Sequence, residues 1–544
     1  MASKNLNLPI CLIILDGWGV APASPGNAIT QAQTPNLIRI LNSYPHTLLE
    51  ASQEAVGLPH NEPGNSEAGH LNLGAGSIVP ESLTKINTSI ADGSFFKSKA
   101  LLHVANHVKQ YNSNCHFLGL IGSGGVHSNI EHLFALLNWA KNNRLNKVFL
   151  HLFTDGRDSS PTSSIQHLKS IEAKIKADKV GQIATIIGRF YSMDRDNRWD
   201  RTKIAYQALT EGKGLLTDSY AKAIETSYQN NKTDEFIEPI ILKDKNIPLS
   251  IMADNDAVIF FNFRIDRPRQ LTKAFVLPDF EDLVEKGSFD PYAERYGKKQ
   301  YQDRGKKMLT FKRSKVLKNL LFVTMTEYEP GLPVLTIFPP NQVDLPLGRI
   351  IAENGWRQLR AAETEKERHV TYYFSGKRDS LFPGEDHLII PSPNISTYDL
   401  KPEMSAMELT QEVIKRINLK IYDFILLNYA NPDMVGHTGV LSAGIKACEV
   451  VDNCLQKIVD HITLLGGTCI ITADHGNVEE MVNLATGEVD TKHSTFPVPL
   501  AIVNNQFKGN NLFLNKGILA DVAPTILKIS QITKPSSMTE KSLI

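Results

Sequence analysis

Three short apolar runs in this chain break off abruptly at acidic residues, and that repeated break constrains the fold more than any other feature. Thr468 to Thr472 follows a double glycine and runs through Ala473 into Asp474, His475, Gly476 and Asn477. Pro9 to Gly19 (PICLIILDGWG) is a second run, with Pro9 at its first position, where a missing N–H costs no ladder bond, and Asp16 near its end. Tyr422 to Asn428 (YDFILLN) is the third, followed by Asp433 and His437. Continuous apolar runs of this length read as strands covered on both faces, as in a parallel sheet. In open α/β sheets the ligand crevice lies outside the carboxyl ends of the strands, so these acids and histidines belong to a site rather than to a core. His493 stands in the loop before a further strand-like run, FPVPLAIV. Three Asp and three His without Cys suit a borderline-to-hard divalent ion such as Mn²⁺ or Zn²⁺, and six donors suit two ions better than one.

A chain of 544 residues exceeds what one hydrophobic core normally organises, so two domains are expected. The 58 basic residues balance the 58 acidic ones, which removes any global argument for a nucleic-acid or membrane partner. Anion recognition must then be local. Five scattered Cys with no CxxC point to a reducing compartment. The N-terminal apolar run, interrupted by Asp16, is too short for a signal peptide or a membrane span. A cytoplasmic, monomeric enzyme is the expectation.

After the first strand, Thr34 and Pro35 read as the N-cap and first residue of a helix. The Gly- and Asn-rich stretch Leu58 to Gly76 then holds Ser66 between Asn65 and Glu67. A serine there can simply cap the following helix. It can also stand where backbone N–H groups and the helix dipole favour a phosphate, and beside a divalent ion its oxygen becomes a nucleophile. Metal ligands together with an exposed serine imply phosphoryl transfer.

From about Ile78 a second α/β run begins whose strands end in different chemistry. HFLGLIG leads to His127, KVFLHLFTD to Arg157 and Asp158, IATIIG to Arg189 and Arg195, and AVIFFNF to Arg264 and Arg267. Four strand ends of one sign would build a cationic pocket, and guanidinium forks take carboxylate and phosphate in bidentate fashion. Asp158 among those arginines is expected to be depressed in pKa and to act as a general base, or merely to orient Arg157. From Lys298 to Lys318 nine Lys or Arg stand against the single acid Asp303, which reads as a solvated excursion at about 280–318. The chain next returns to the first style of structure: NLLFVTMTEY reads as a strand, LGRIIAENGWRQLRAAET as a helix broken at Gly355, and Lys366 lies near the start of another strand.

In this order, LDGWG, GNSEAGH, GGVHS, TDGRD, GRFYSMDRD, FNFRIDRPRQ, EKERHVTYYF, NPDMVGHTG and TADHGN resemble the cofactor-independent phosphoglycerate mutases of the alkaline phosphatase superfamily. The resemblance covers nearly the whole chain. It implies an alkaline-phosphatase-like doubly wound α/β domain at 1–78 and 315–544, binding two Mn²⁺ or other divalent ions, with a second α/β phosphotransferase domain inserted at 79–314. It implies Ser66 as the phosphorylated nucleophile, one ion on Asp16, Ser66, Asp474 and His475, and the other on Asp433, His437 and His493. Substrate binding falls to His127, Arg157, Asp158, Arg189, Arg195, Arg264, Arg267 and Lys366, with Asp158 the proton shuttle. The implied partner is a small phosphoglycerate, interconverted between its 3- and 2-phosphate forms without 2,3-bisphosphoglycerate. Closure of the two domains would shut out water. The family pattern carries Thr and Asn where this chain has Ser494 and Phe496. A metal-dependent phosphomonoesterase or a different phosphomutase of the same superfamily, sharing the Asp, His and Ser set but differing in the arginine domain, is one alternative, and a non-enzymatic binding protein built on the fold is the second.

Overall fold

The structure is a computed structural model describing residues 8–283, 310–509 and 514–544. The chain folds into two compact units, Met1–Thr84 with Asn341–Ile544, and Lys85–Pro340. No helix among the described residues is long and apolar enough to cross a membrane.

The first unit is built on an eight-stranded sheet, ordered Glu385–Ile390, Gln358–Glu363, Phe424–Tyr429, Ile10–Leu15, Thr468–Thr472, Val498–Val503, His46–Glu50 and Gly517–Ile518. The three apolar runs of the sequence are adjacent and parallel at its centre. Each is buried along its whole length, which is why each reads as unbroken hydrophobicity. Burying a side chain such as Leu12 or Ile13 contributes about 1.5–3 kcal/mol, so these strands are fixed in depth. Register pairs Leu15 with Tyr429 and Ile14 with Thr472, so the three carboxyl ends are level.

Two sequence expectations in this unit are corrected. Thr34 does not cap the helix Pro35–Ser43 with its side chain. The orphan N–H groups of Asn36 and Leu37 are instead taken by Asp452, from the long helix Leu441–Leu464, at 3.1 and 2.7 Å. The expected broken helix ends at Glu353, and Gln358–Glu363 is an interior strand, second from the edge of the sheet. That strand buries Gln358, Arg360 and Glu363, with the Arg360 guanidinium lying over Phe374 and Phe424. Buried polar side chains erase the apolar signature by which its neighbours are recognised.

The second unit has a sheet ordered Leu335–Phe338, Leu321–Thr326, Ala257–Phe260, Cys115–Ile121, Val148–Thr154, Gln182–Gly188, Ile240–Asp244 and Leu215–Thr217, with Ile247–Pro248 paired to Ile240–Asp244. Leu321–Thr326 pairs in parallel with Ala257–Phe260, so the chain leaves this unit after Pro340 and not at about 315.

Residues 284–309, including Lys298, Lys299, Asp303, Arg304, Lys306 and Lys307, lie outside the described residues. The described part of the basic excursion is not uniformly solvated. Arg313 is buried, forks onto both oxygens of Glu281 at 2.9 and 2.8 Å, and donates to the carbonyls of Ala274, Leu277 and Pro278. Lys315 donates to the carbonyls of Thr210 and Met252. These two cations close off backbone carbonyls in helix ends and loops, which a count of charge along the chain does not reveal.

Hydrogen bonds from Arg313 hold the Glu281 carboxyl down at about 2. A depressed carboxylate stabilises the fold above its unfolded pKa near 4.3 and loses that contribution as pH falls toward the folded value. Because Glu281 is 35% exposed and solvent screens the pair, Arg313→Met is expected to destabilise the protein by about 1–2 kcal/mol in urea denaturation at pH 7, and the difference from wild type should shrink between about pH 4.3 and 2. An unchanged midpoint at pH 7 would contradict this reading.

Candidate functional site

In the first unit Ser66 opens the helix Ser66–Ala75. It is not the cap: the Asn65 side chain accepts from the Ala68 N–H at 2.8 Å, and this leaves the Ser66 hydroxyl free for other partners. Its oxygen is buried 2.8 Å from His475 Nε2 and 3.4 Å from Asp16 Oδ1, and accepts from Lys366 Nζ at 2.7 Å. The helix can approach this closely because position 69 is glycine; a Cβ there would run into the Asp474 backbone.

Lys366 does not begin a strand. It sits in the turn Thr364–Lys366 just after Gln358–Glu363, so it too leaves a carboxyl end of the sheet. Its ammonium donates to Asp16 Oδ1 at 2.6 Å and to Asp433 Oδ2 at 2.7 Å. Burial alone would lower its pKa, but Asp16, Asp433 and Asp474 outweigh burial and raise it. Burial and then Asp474 push Asp16 up to about 7 against the pull of Lys366. Three buried carboxylates thus share one lysine, a balance that calls for further positive charge.

The remaining donors fit cations. His437 Nδ1 donates to the Thr491 carbonyl at 2.9 Å and His493 Nδ1 to the Gly64 carbonyl at 2.8 Å. With those tautomers fixed, both Nε2 lone pairs face each other at 3.0 Å and face Asp433 Oδ1 at 3.3 and 3.2 Å. Three acceptors aimed at one point are reconciled by a cation. The second group is alike: Asp16, Asp474 and His475 bring donor atoms together, His475 Nδ1 is occupied by the Gly476 carbonyl, and the buried Asp474 Oδ2, 3.1 Å from His70 Nδ1, must share that one N–H with the Ser66 carbonyl. Asp433, His475 and His493 also converge, so His475 borders both groups. All the metal-ligand candidates read from the sequence are brought together here.

Other side chains hold these groups, and the sequence reading assigned them no role. The Asn428 amide donates to Asp16 Oδ2 at 2.6 Å and meets His70 Nε2 at 3.0 Å. That leaves His70 Nδ1–H for the Ser66 carbonyl at 2.9 Å, tying the serine's helix to the strand Phe424–Tyr429. Asn477 donates to Asp433 Oδ1 at 2.9 Å. Asn428 lies inside an apolar strand and His70 on a buried helix, where nothing in the sequence separates them from core residues.

In the second unit, His127, Asp158, Arg189, Arg195, Arg264 and Arg267 are gathered by four adjacent parallel strands. Arg189 Nη1 meets Asp155, and Asp158 Oδ2 at 2.6 Å; Asp158 Oδ2 lies 3.8 Å from His127 Nε2. Asp266 receives Arg195 at 2.7 Å and Arg264 at 3.2 Å. Arg157 turns outward, half exposed, to Glu235 at 3.6 Å. Asp158 is therefore paired with Arg189 and not with Arg157. Burial, then Arg189, Arg264, Arg267 and Arg195, hold His127 far below its ordinary pKa, so the ring is neutral. Burial, Arg189 and Arg195 lower Arg267 to about 10. Guanidiniums that depress one another gain when an anion enters. The buried Asp155 and Asp266 beneath them keep the cluster from flying apart, a role the sequence did not disclose.

Comparison with known proteins agrees with this chemistry. Residues 86–330 match the family model described as BPG-independent PGAM N-terminus. The 2,3-bisphosphoglycerate-independent phosphoglycerate mutase of Chloroflexus aggregans is 48% identical over 539 residues, 98% of each chain. That of Moorella thermoacetica is 46% identical over 99% of each chain. A phosphoglycerate mutase of Leishmania mexicana, with crystal structures at low cobalt concentration, has a TM-score of 0.62 at 27% identity, covering 99% of this chain and 98% of its own.

If Lys366 is the shared counter-charge of Asp16 and Asp433, Lys366→Met should cost about 3–5 kcal/mol in EDTA. Adding Asp433→Asn should recover part of that loss. Chemical denaturation of the two variants checks this; a single variant as stable as wild type would contradict it.

Proposed function

The chain belongs to the 2,3-bisphosphoglycerate-independent phosphoglycerate mutase family, and from that premise we propose that it interconverts 3-phosphoglycerate and 2-phosphoglycerate through a phosphoserine at Ser66. One observation carries the reading: the Ser66 oxygen lies within 2.8 Å of His475 Nε2 and 2.7 Å of Lys366 Nζ, at the first turn of a helix and among acceptors that fit cations.

Asp16, Ser66, Asp474 and His475 would hold one divalent ion, and Asp433, His437 and His493 a second; Mn²⁺ is the ion we assign. Bound there, such ions neutralise charge on the transferring oxygens and favour the ionised serine. The arginines of the second unit grip the carboxylate and phosphate of the substrate through bidentate forks. Ser66 Oγ forms its bond to phosphorus as the bond from phosphorus to the 3-oxygen of glycerate breaks. Lys366 Nζ donates to the serine oxygen and offsets negative charge growing beside it. The glycerate then presents its 2-oxygen, the Ser66–phosphorus bond breaks, and the serine is restored. Net transfer moves a proton from the 2-hydroxyl to the 3-oxygen, and Asp158, held by Arg189 and facing the neutral His127, is the group we assign to carry it. No organic phosphate donor enters this sequence.

The test is conversion of 3-phosphoglycerate by protein stripped with EDTA, assayed with and without Mn²⁺ and without 2,3-bisphosphoglycerate. Ion-dependent 2-phosphoglycerate is expected; inorganic phosphate alone would move the protein to the phosphomonoesterase reading. Ser66→Ala should lower kcat by at least about 10³-fold while Mn²⁺ binding persists. Mutase activity near wild type in that variant would overturn the assignment.

A further inference from the structure

His475 and His493 ride on loops, and histidines on loops hold geometry only if the loops are tied together. A buried carboxylate outside both ligand groups lies behind them. Glu479 is 2% exposed and belongs to the short turn Val478–Glu480. Its Oε2 accepts from the N–H of Gly19 at 3.0 Å and of Asn477 at 2.8 Å, and its Oε1 accepts from the Ser494 hydroxyl. Gly19 follows Asp16 by three residues, Asn477 follows His475 by two, and Ser494 follows His493 directly. One side chain therefore joins the three loops that bear Asp16, Asp474 with His475, and His493.

The surroundings are cut to this carboxylate. A Cβ on Gly19 or Gly476 would collide with it, and Gly476 also forms a bridge with Ser494, whose N–H donates to the Gly476 carbonyl at 3.0 Å. His493 is then pinned from both sides, by its own Nδ1 to Gly64 and by its neighbour's hydroxyl to Glu479. Asp16 and Asp474 have independent supports in Asn428 and in the N–H groups of Gly17 and His475. Loss of Glu479 would therefore fall hardest on the His493 loop.

We propose that Glu479, acting with Ser494, is a positioning residue that holds His493 in register with Asp433 and His437 for a divalent ion. The inference rests on reading those three residues as ligands. What matters is the acceptor geometry, so the side-chain amide of glutamine can serve in its place. Its carbonyl oxygen can accept both backbone N–H groups while its NH₂ donates to the Ser494 oxygen. Alanine leaves three buried donors without an acceptor.

The experiment is titration of the full chain with Mn²⁺ alone, followed by the loss of the free-ion EPR signal and by the spectrum of coupled ion pairs. Wild type is expected to bind two ions. Glu479→Ala should weaken one of them by about 10- to 100-fold and abolish the coupled spectrum, whereas Glu479→Gln should stay within about threefold of wild type. Should the alanine variant fail to fold, Ser494→Ala decides, because it removes one hydroxyl; it should weaken the same ion by about tenfold, and Ser494→Thr should restore it. Two wild-type affinities in Glu479→Ala or Ser494→Ala would overturn the proposal, as would a glutamine variant as defective as the alanine one. Wild-type protein that binds no Mn²⁺ would overturn the ligand reading and this proposal with it.

Discussion

Three carboxylates, Asp16, Asp433 and Asp474, are buried side by side at the level ends of adjacent parallel strands, and the first unit is arranged around that concentration of charge. Buried like charges are costly unless they are compensated, so everything nearby has to supply a donor, a lysine or a place for a cation. Lys366 meets Asp16 and Asp433, backbone N–H groups and Asn428 take the oxygens that face away, and the histidine lone pairs converge on what remains. The apolar strands are the counterpart of this arrangement. Rigid, fully buried Ile10–Leu15, Phe424–Tyr429 and Thr468–Thr472 leave no freedom for the carboxylates to drift toward water.

The second unit solves the opposite problem by the same means. Its sheet delivers arginines to neighbouring strand ends, and buried Asp155 and Asp266 hold them together without neutralising them all. Arg267 remains depressed and His127 remains neutral, so the cluster is still deficient in negative charge. A small anion entering the cluster would supply what is missing. A mostly parallel α/β sheet with charged groups at its carboxyl edge thus recurs in each unit, one acidic and one basic.

Much of this was legible in the sequence because the two physical signals coincide: an unbroken apolar run marks a central strand, and the first polar residues after it mark the site. Asp16, Asp433, His437, Asp474, His475 and the arginines stand out in the sequence that way, and the structure gathers the acids with the histidines in one unit and most of the arginines in the other. The signal failed where burial and polarity occur together. Gln358–Glu363 buries Arg360 and Glu363, so its pattern reads as helix and Lys366 falls at the start of the next apparent strand. It failed again where the partner is remote. Glu479 meets Gly19 across 460 residues, Asn428 meets Asp16 across 412, and Leu321–Thr326 shows its sheet only through its pairing with Ala257–Phe260. Ser66 was found at a helix start, but only the structure shows that Asn65 is the cap and that the hydroxyl is thereby released.

The central claim is that the phosphoryl group passes through Ser66. Mixing the Mn²⁺-loaded protein with 3-phosphoglycerate, quenching in acid within a turnover and mapping phosphopeptides tests it most directly. Phosphate on the peptide containing Ser66, rising and decaying with the reaction, is the predicted result. Phosphate on another residue, or turnover with no phosphoenzyme at any quench time, would contradict the account.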